Sequence, residues 1–368
     1  MQESWTFKNL NYETLRQLRP DKVRKKSGTV WASELGKSFI DVELRMRATE
    51  PSNPPDDRSL GKFDAGNFWE NVIKNVFIRS GILREDQASG IYQYPGLLPV
   101  WGRLDLIAGG KIDYERSKCA IDRMPDYVPK SLLAVIKNSL EAWQRDHPDG
   151  LKEVVFEVKS TSQTMFESYQ AKGAGENHKL QLFHYLKMSK MDEGHVLYVC
   201  RDDVRLAEFP VFNPSVVEED YKRWLTNMTE LHKQNLSNED LITYYKEPLV
   251  VFDYQMFKFR PNWKVAYSNY LSLIYKKYDS ATDTSKPYTH QEEYAEEYRN
   301  LTSKWNRVMA RIVLDKPMTK SNLDYLKEIE AHFSKVWLEE TIESIKKSVK
   351  EGKIKIEEEE KESVDIIN

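Results

Sequence analysis

Three side chains in this sequence have the types and spacing for metal-assisted hydrolysis: Asp105 in GRLD, and Glu157 and Lys159 in FEVK. A hard cation such as Mg²⁺ or Mn²⁺ prefers oxygen donors and usually takes only one or two carboxylates from a protein. It activates water and neutralises the charge that builds on phosphoryl oxygens. Two carboxylates with a lysine beside them therefore suit phosphodiester hydrolysis by water. The lysine would hold the attacking water or the transition state, and the main-chain carbonyl of Val158 offers a further oxygen. Side chains alternate along a strand, so Glu157 and Lys159 share one face. The alternative is a Glu–Lys pair on the solvent face of a sheet. Against it, the preceding run Val154, Val155, Phe156 reads as buried strand. A charged pair closing a buried strand is costly unless it is paired or metal-bound.

The elements that must position these groups are legible in outline. Asp64 to Ile78 reads as a helix, with Phe68, Trp69, Val72, Ile73, Val76 and Phe77 as its apolar stripe and Gly81 ending it. Ser33 is expected to cap a helix running towards Arg47. Residues 91–112 carry strand formers broken by Pro-Gly and Gly-Gly turns. Residues 113–150 read as an insertion with a helix over about Lys130 to Arg145. The strand of Glu157 spans 153–160, Gln163 to Glu176 reads as a loop, Asn177 to Ser189 as a helix and His195 to Cys200 as another core strand. Beyond Asn213 the pattern is mainly helical, with Trp224, Leu225 and Leu231, then Trp305, Val308, Met309 and Ile312 at helical spacing. Gln181 and Tyr185, four apart, share one helix face. The expected organisation is a basic segment over 1–60, a core over 61–212, a helical region over 213–350 and an acidic tail over 351–368.

This succession resembles the RecB-like and Cas4-like branch of the PD-(D/E)XK nuclease superfamily. The matching stretches are SELG at 33–36, GNFWE at 66–70, GRLD at 102–105, EVK at 157–159 and QLFHY at 181–185. Each is loose alone; five in order are more specific, and they cover somewhat under half the chain. The resemblance implies an α/β restriction-endonuclease-like core, a mixed central sheet flanked by helices, here with a helical C-terminal extension. It implies Asp105 as the central metal ligand and Glu70 approaching the metal directly or through water. Relatives often have a histidine near the position of Glu70. It implies Gln181 and Tyr185 beside the active site, touching the DNA backbone or the nucleophile. The competing readings are a turn carboxylate for Asp105, an exposed helix glutamate for Glu70, and a half-buried tyrosine with a polar neighbour for Tyr185. Asp113 is a weaker rival to Asp105. His178 and Gln163 are lesser candidates, for the phosphate path and for support of the metal site. Cas4-like relatives place a cysteine after the SEL segment and three more late in the chain; here Ser38 stands near the first place and no cysteine follows Cys200, so no iron–sulfur cluster is expected.

The formal net charge of −3 excludes a uniformly basic DNA wrapper, so contact with nucleic acid must come from local patches or metal ions. Arg16, Arg19, Lys22, Arg24, Lys25 and Lys26 form the best patch. Two cysteines, Cys119 and Cys200, cannot build a four-cysteine site. With no leader pattern and no long apolar run, the chain is expected to be cytoplasmic, without membrane contact. Trp69, Trp101, Trp224 and Trp305 either stack on bases or pack the core. The reading is a Mg²⁺- or Mn²⁺-dependent deoxyribonuclease, an end-dependent exonuclease of recombination, repair or phage DNA processing. Its partners are DNA, a recombinase or single-strand-binding protein, and other copies of itself. The alternatives are a non-catalytic DNA-binding scaffold and a site-specific restriction endonuclease.

Overall fold

The computed structural model describes residues 14, 26–53, 57–125, 128–213, 216–247, 250–253, 258–262, 264, 268–274, 304–305, 307–333 and 335–351. The basic run from Arg16 to Lys25 and the acidic stretch 356–362 lie outside them. The chain divides into two units, 1–245 and 246–368.

The first unit is mixed α/β. Its main sheet has the order β2 (Leu83–Asp86), β5 (Leu106–Gly110), β6 (Leu151–Thr161), β7 (Glu193–Cys200) and β8 (Leu206–Phe212). β6 and β7 are parallel and every other pair is antiparallel. Parallel neighbours cannot be joined by a tight turn and need a crossover. Here α5 (Gln163–Lys172) and α6 (Glu176–Ser189) supply it. A second, three-stranded sheet has the order β1 (Val30–Trp31), β4 (Val100–Arg103), β3 (Ser89–Tyr92).

One face of the main sheet is covered by α2 (Asp57–Arg79). Ile73 packs there with Leu83, Leu106, Val158, Leu197 and Val199, and Trp69, Phe77 and Phe156 close over them. The apolar stripe is therefore narrower than its spacing suggests, because Phe68 and Val76 are exposed. The helix stops where Gly81 takes a positive φ of 71°. A side chain there would meet the Asp113 carbonyl at 2.7 Å. The opposite face receives α6, whose residues Gln181 to Leu186 are all buried.

Two short stretches differ from expectation. Ser33 lies inside a 3₁₀ turn (Ala32–Glu34), and the helix it was expected to cap, α1 (Phe39–Met46), starts after Ser38. The Glu34 carboxylate bonds back to the Trp31 N–H at 2.9 Å and to Arg45 Nε at 2.8 Å, which holds the turn. The supposed loop from Gln163 is largely α5. It has only one fully buried anchor, Phe166, and its polar residues are simply its solvent face. The insertion forms α3 (Tyr114–Asp122) and α4 (Lys130–Asp146). Two further helices, α7 (Val217–Gln234) and α8 (Asn238–Tyr245), belong to this first unit.

In the second unit, β9 (Val250–Asp253) and β10 (Lys258–Pro261) form an antiparallel hairpin where helix was expected. The β-branched pair Val250 and Val251 with Phe252 favours strand there. α9 (Leu271–Ile274), a helical stretch over 307–313, α10 (Lys320–Phe333) and α11 (Lys335–Lys350) are its other elements among the described residues. Trp305, Val308 and Met309 are buried, as their spacing predicts. Among the described residues, no helix is long and apolar enough to cross a membrane.

Candidate active site

The site grows out of the pairing of β5 with β6. Leu106 is in register with Phe156. One step further, the chain bends away and Asp105 comes opposite Glu157. Its Oδ2 accepts a hydrogen bond from the Val158 N–H at 2.8 Å, so the carboxylate is pinned to the strand that carries the rest of the site. Glu157 and Lys159 share the face of β6 turned towards α6 and form an ion pair. Val158, between them, points the other way into the core beneath α2.

Glu157 is fully buried; its carboxylate has the Lys159 ammonium as its ion-pair partner and receives no main-chain N–H among the described residues. Burial, reinforced by Asp105 and opposed by Lys159, pushes its pKa up to about 8. Asp105 is raised too, by burial, against the pull of Lys159 and the Val158 N–H. Burial acts to lower Lys159, but Glu157 and Asp105 outweigh it and hold the ammonium above its ordinary value. Glu70, on α2, is pushed up to about 7 by burial and by Asp105, with Arg103 and Lys159 opposing. These four groups thus share one electrostatic environment. Among the described residues no three His, Cys, Asp or Glu side chains stand close enough to hold one metal ion. The strongest neighbouring charge on Glu70 is Asp105, and its carboxylate is bonded by the Gln87 amide.

Gln181 and Tyr185 come to the site from α6, over the face of Glu157. Both are buried, and the Gln181 amide donates to the Tyr185 hydroxyl at 2.8 Å. Tyr185 is raised by burial and by the nearby Glu157 charge. Gly102, of the GRLD stretch, makes this approach feasible: a Cβ there would lie 2.7 Å from the Tyr185 ring and 2.8 Å from His184. The Gly102→Ala protein is expected to lose about 1–3 kcal/mol of stability through overpacking. Urea denaturation would register this as a lower midpoint; an unchanged midpoint would mean that Tyr185 has room to move.

Several residues escaped the sequence reading. Gln87 takes a positive φ of 56°, donates its N–H to the Asp105 carbonyl at 3.1 Å and bonds Glu70 with its side chain. It links the two carboxylate-bearing segments, and nothing in EDQASG signals that. Tyr198, in register with Lys159, accepts from the Gly175 N–H at 3.0 Å, lies 2.6 Å from His178 Nδ1 and stacks on Tyr169 at 4.2 Å. His178 is held down to about 3 by burial and then by Lys159 and Lys37, so its ring is neutral. Asp113 is a helix cap, accepting from the Arg116 N–H at 2.9 Å. Gln163 bonds Asp202 and Glu167 at the start of α5 and not the carboxylate pair.

The donor set fits a hard cation. Mg²⁺ asks for one or two carboxylates and completes its shell with water and carbonyl oxygen. Asp105 and Glu157 offer that number, and the buried Glu157 carboxylate, balanced by Lys159, receives no main-chain donor among the described residues.

No family model matches the chain. No curated protein matches it. Among solved structures it is similar to the crystal structure of SSO0001, at 15% identity and a TM-score of 0.39, over 66% of this chain and 94% of that one.

Proposed function

We propose that this chain is a metal-dependent DNA nuclease of the PD-(D/E)XK type that works from DNA ends. The observation that carries the reading is a fully buried Glu157 carboxylate, paired with Lys159 and set opposite Asp105 on a central strand. A protein that needed only a folded sheet would be as stable or more so with apolar residues at these positions, since taking both members of a charged pair out of water often costs more than their attraction returns. Asp105 and Glu157, with the Val158 carbonyl, would hold Mg²⁺ or Mn²⁺. When bound, the ion supplies an activated water and charge neutralisation at the phosphate. Lys159 orients the water and counters the developing charge. Tyr185, fixed by Gln181, sits against the same carboxylates, and Glu70 tunes them through Asp105.

The test is digestion of end-labelled linear DNA and closed circular DNA with Mg²⁺, Mn²⁺ or EDTA. Metal-dependent loss of the linear form alone supports an end-dependent exonuclease. Cutting of circles at fixed sites points to a restriction endonuclease. Binding without any cleavage points to a scaffold on a nuclease-like fold. The Asp105→Asn protein is expected to bind Mn²⁺ about tenfold more weakly or worse, judged against the losses seen for outer-shell partners. Calorimetry would read this directly, and an unchanged affinity removes Asp105 from the ligand set.

A further inference from the structure

The face of the three-stranded sheet turned away from α6 carries a row of large exposed side chains. Trp31 of β1 is in register with Trp101 of β4, and Trp101 with Ile91 of β3. Residues in register share a face, and adjacent strands lie about 4.8 Å apart. The three are 46%, 39% and 61% exposed, while Val30 and Val100, on the other face, are fully buried. The first indole is braced: Arg45 lies over it, 4.5 Å from the ring centroid, and Glu34 holds both Arg45 and the Trp31 N–H. Arg103 follows Trp101 by two residues, so it belongs to the same face. Its side chain is exposed and makes no hydrogen bond or close ion pair among the described residues, while its charge acts through space on Glu70 and Asp105. Two residues further on is Asp105.

The row is small. Its exposed area is on the order of 300 Å² by the usual size of aromatic side chains. A stable protein partner or second copy normally buries roughly 800 Å² on each side. Two indoles and an isoleucine beside an exposed cation instead match a chain of planar bases joined by phosphates. Duplex DNA keeps its base faces stacked inside, whereas single strands present them.

We infer that Trp31, Trp101 and Ile91 form a stacking platform for the bases of single-stranded DNA, with Arg103 taking a phosphate at the end nearest Asp105. The platform rests on the nuclease reading only for what lies at its far end. The bases pack on two rings and an aliphatic side chain that the sheet already holds, so little ordering cost remains on binding.

The test uses the full chain in EDTA, where nothing is cut, and the fluorescence anisotropy of a labelled oligo-dT. An oligonucleotide of the same length with abasic sites serves as the base-free control. The unaltered protein should prefer oligo-dT to the abasic strand. Trp101→Ala and Trp31→Ala should each weaken oligo-dT binding by roughly ten- to hundredfold and leave the abasic strand unaffected. Trp101→Phe should keep most of the affinity. Arg103→Ala should weaken both strands and flatten the salt dependence. Equal binding of oligo-dT by the tryptophan variants overturns the inference. So does an equal loss on both strands, or a loss of self-association in the centrifuge with unchanged DNA affinity. Oligo-dT binding through the tryptophans in a protein that cleaves no DNA would sink the nuclease reading and leave the platform standing.

Discussion

Glu157→Gln is expected to raise the melting temperature of the metal-free protein while abolishing DNA cleavage. The reason is the burial of Glu157, whose desolvation, reinforced by Asp105, outweighs its ion pair with Lys159. Its pKa stands at about 8 in the fold, against roughly 4.3 for an unperturbed glutamate. The folded state therefore binds more protons than the unfolded state between those values. A group raised in this way contributes fully to stability below the unfolded pKa, and the contribution is lost as pH climbs to the folded one. Each pH unit in the window costs about 1.4 kcal/mol. By pH 8 the loss is on the order of a few kcal/mol. Glutamine has nearly the same shape and no charge to desolvate, so it removes this slope. Melting in EDTA should thus show the variant ahead of the parent by several degrees at pH 8, with the gap closing towards pH 5. Glu70, raised to about 7, adds a slope of the same sign that the substitution leaves in place. A gap that does not change with pH would mean that Glu157 ionises in the fold as it does in water.

The same proton must leave when a cation takes the carboxylate. Metal affinity should therefore rise with pH through this window, in keeping with the general coupling of metal binding to ligand deprotonation. On the proposed function, stability without metal and activity with it pull in opposite directions at this one side chain.

Lys159→Ala is the second large effect. Its ammonium is the charge that faces both Glu157 and Asp105. Removing a group that assists proton transfer or transition-state charge typically costs about 10²–10⁴-fold in rate. Single-turnover cleavage should fall by that much, while anisotropy in EDTA should show DNA affinity within a few-fold of the parent. Lys159→Arg should rescue little, because a planar fork does not replace a compact point charge in a half-buried site. Turnover that survives the alanine variant would remove Lys159 from the chemistry and leave it as a counter-ion to Glu157.

How much of this was legible in the sequence follows the range of the forces involved. The shared face of Glu157 and Lys159 is a property of strand geometry, and the apolar run before them announces burial. Both hold in the fold. The pairing of Gln181 with Tyr185 follows from one helical turn, and their hydrogen bond is present. Local periodicity misled where few anchors bear on an element. α5 hides behind its polar face, and the 250–261 hairpin was overshadowed by helical sequence on both sides.

By itself, then, the sequence determined which residue types lie next to one another along each strand and helix, because backbone periodicity decides that locally. The tertiary structure alone decided what those faces meet. Antiparallel register set Asp105 against Glu157 across a separation of about fifty residues. The crossover demanded by two parallel strands laid α6 over Glu157 and Lys159. A turn residue, Gln87, became the link between Glu70 and Asp105. Likewise, nothing in the spacing of Trp31 and Trp101 distinguishes core from surface. That depended on which side of the second sheet α6 covers, and α6 covers the side of Gly102, where a missing side chain leaves room for Tyr185.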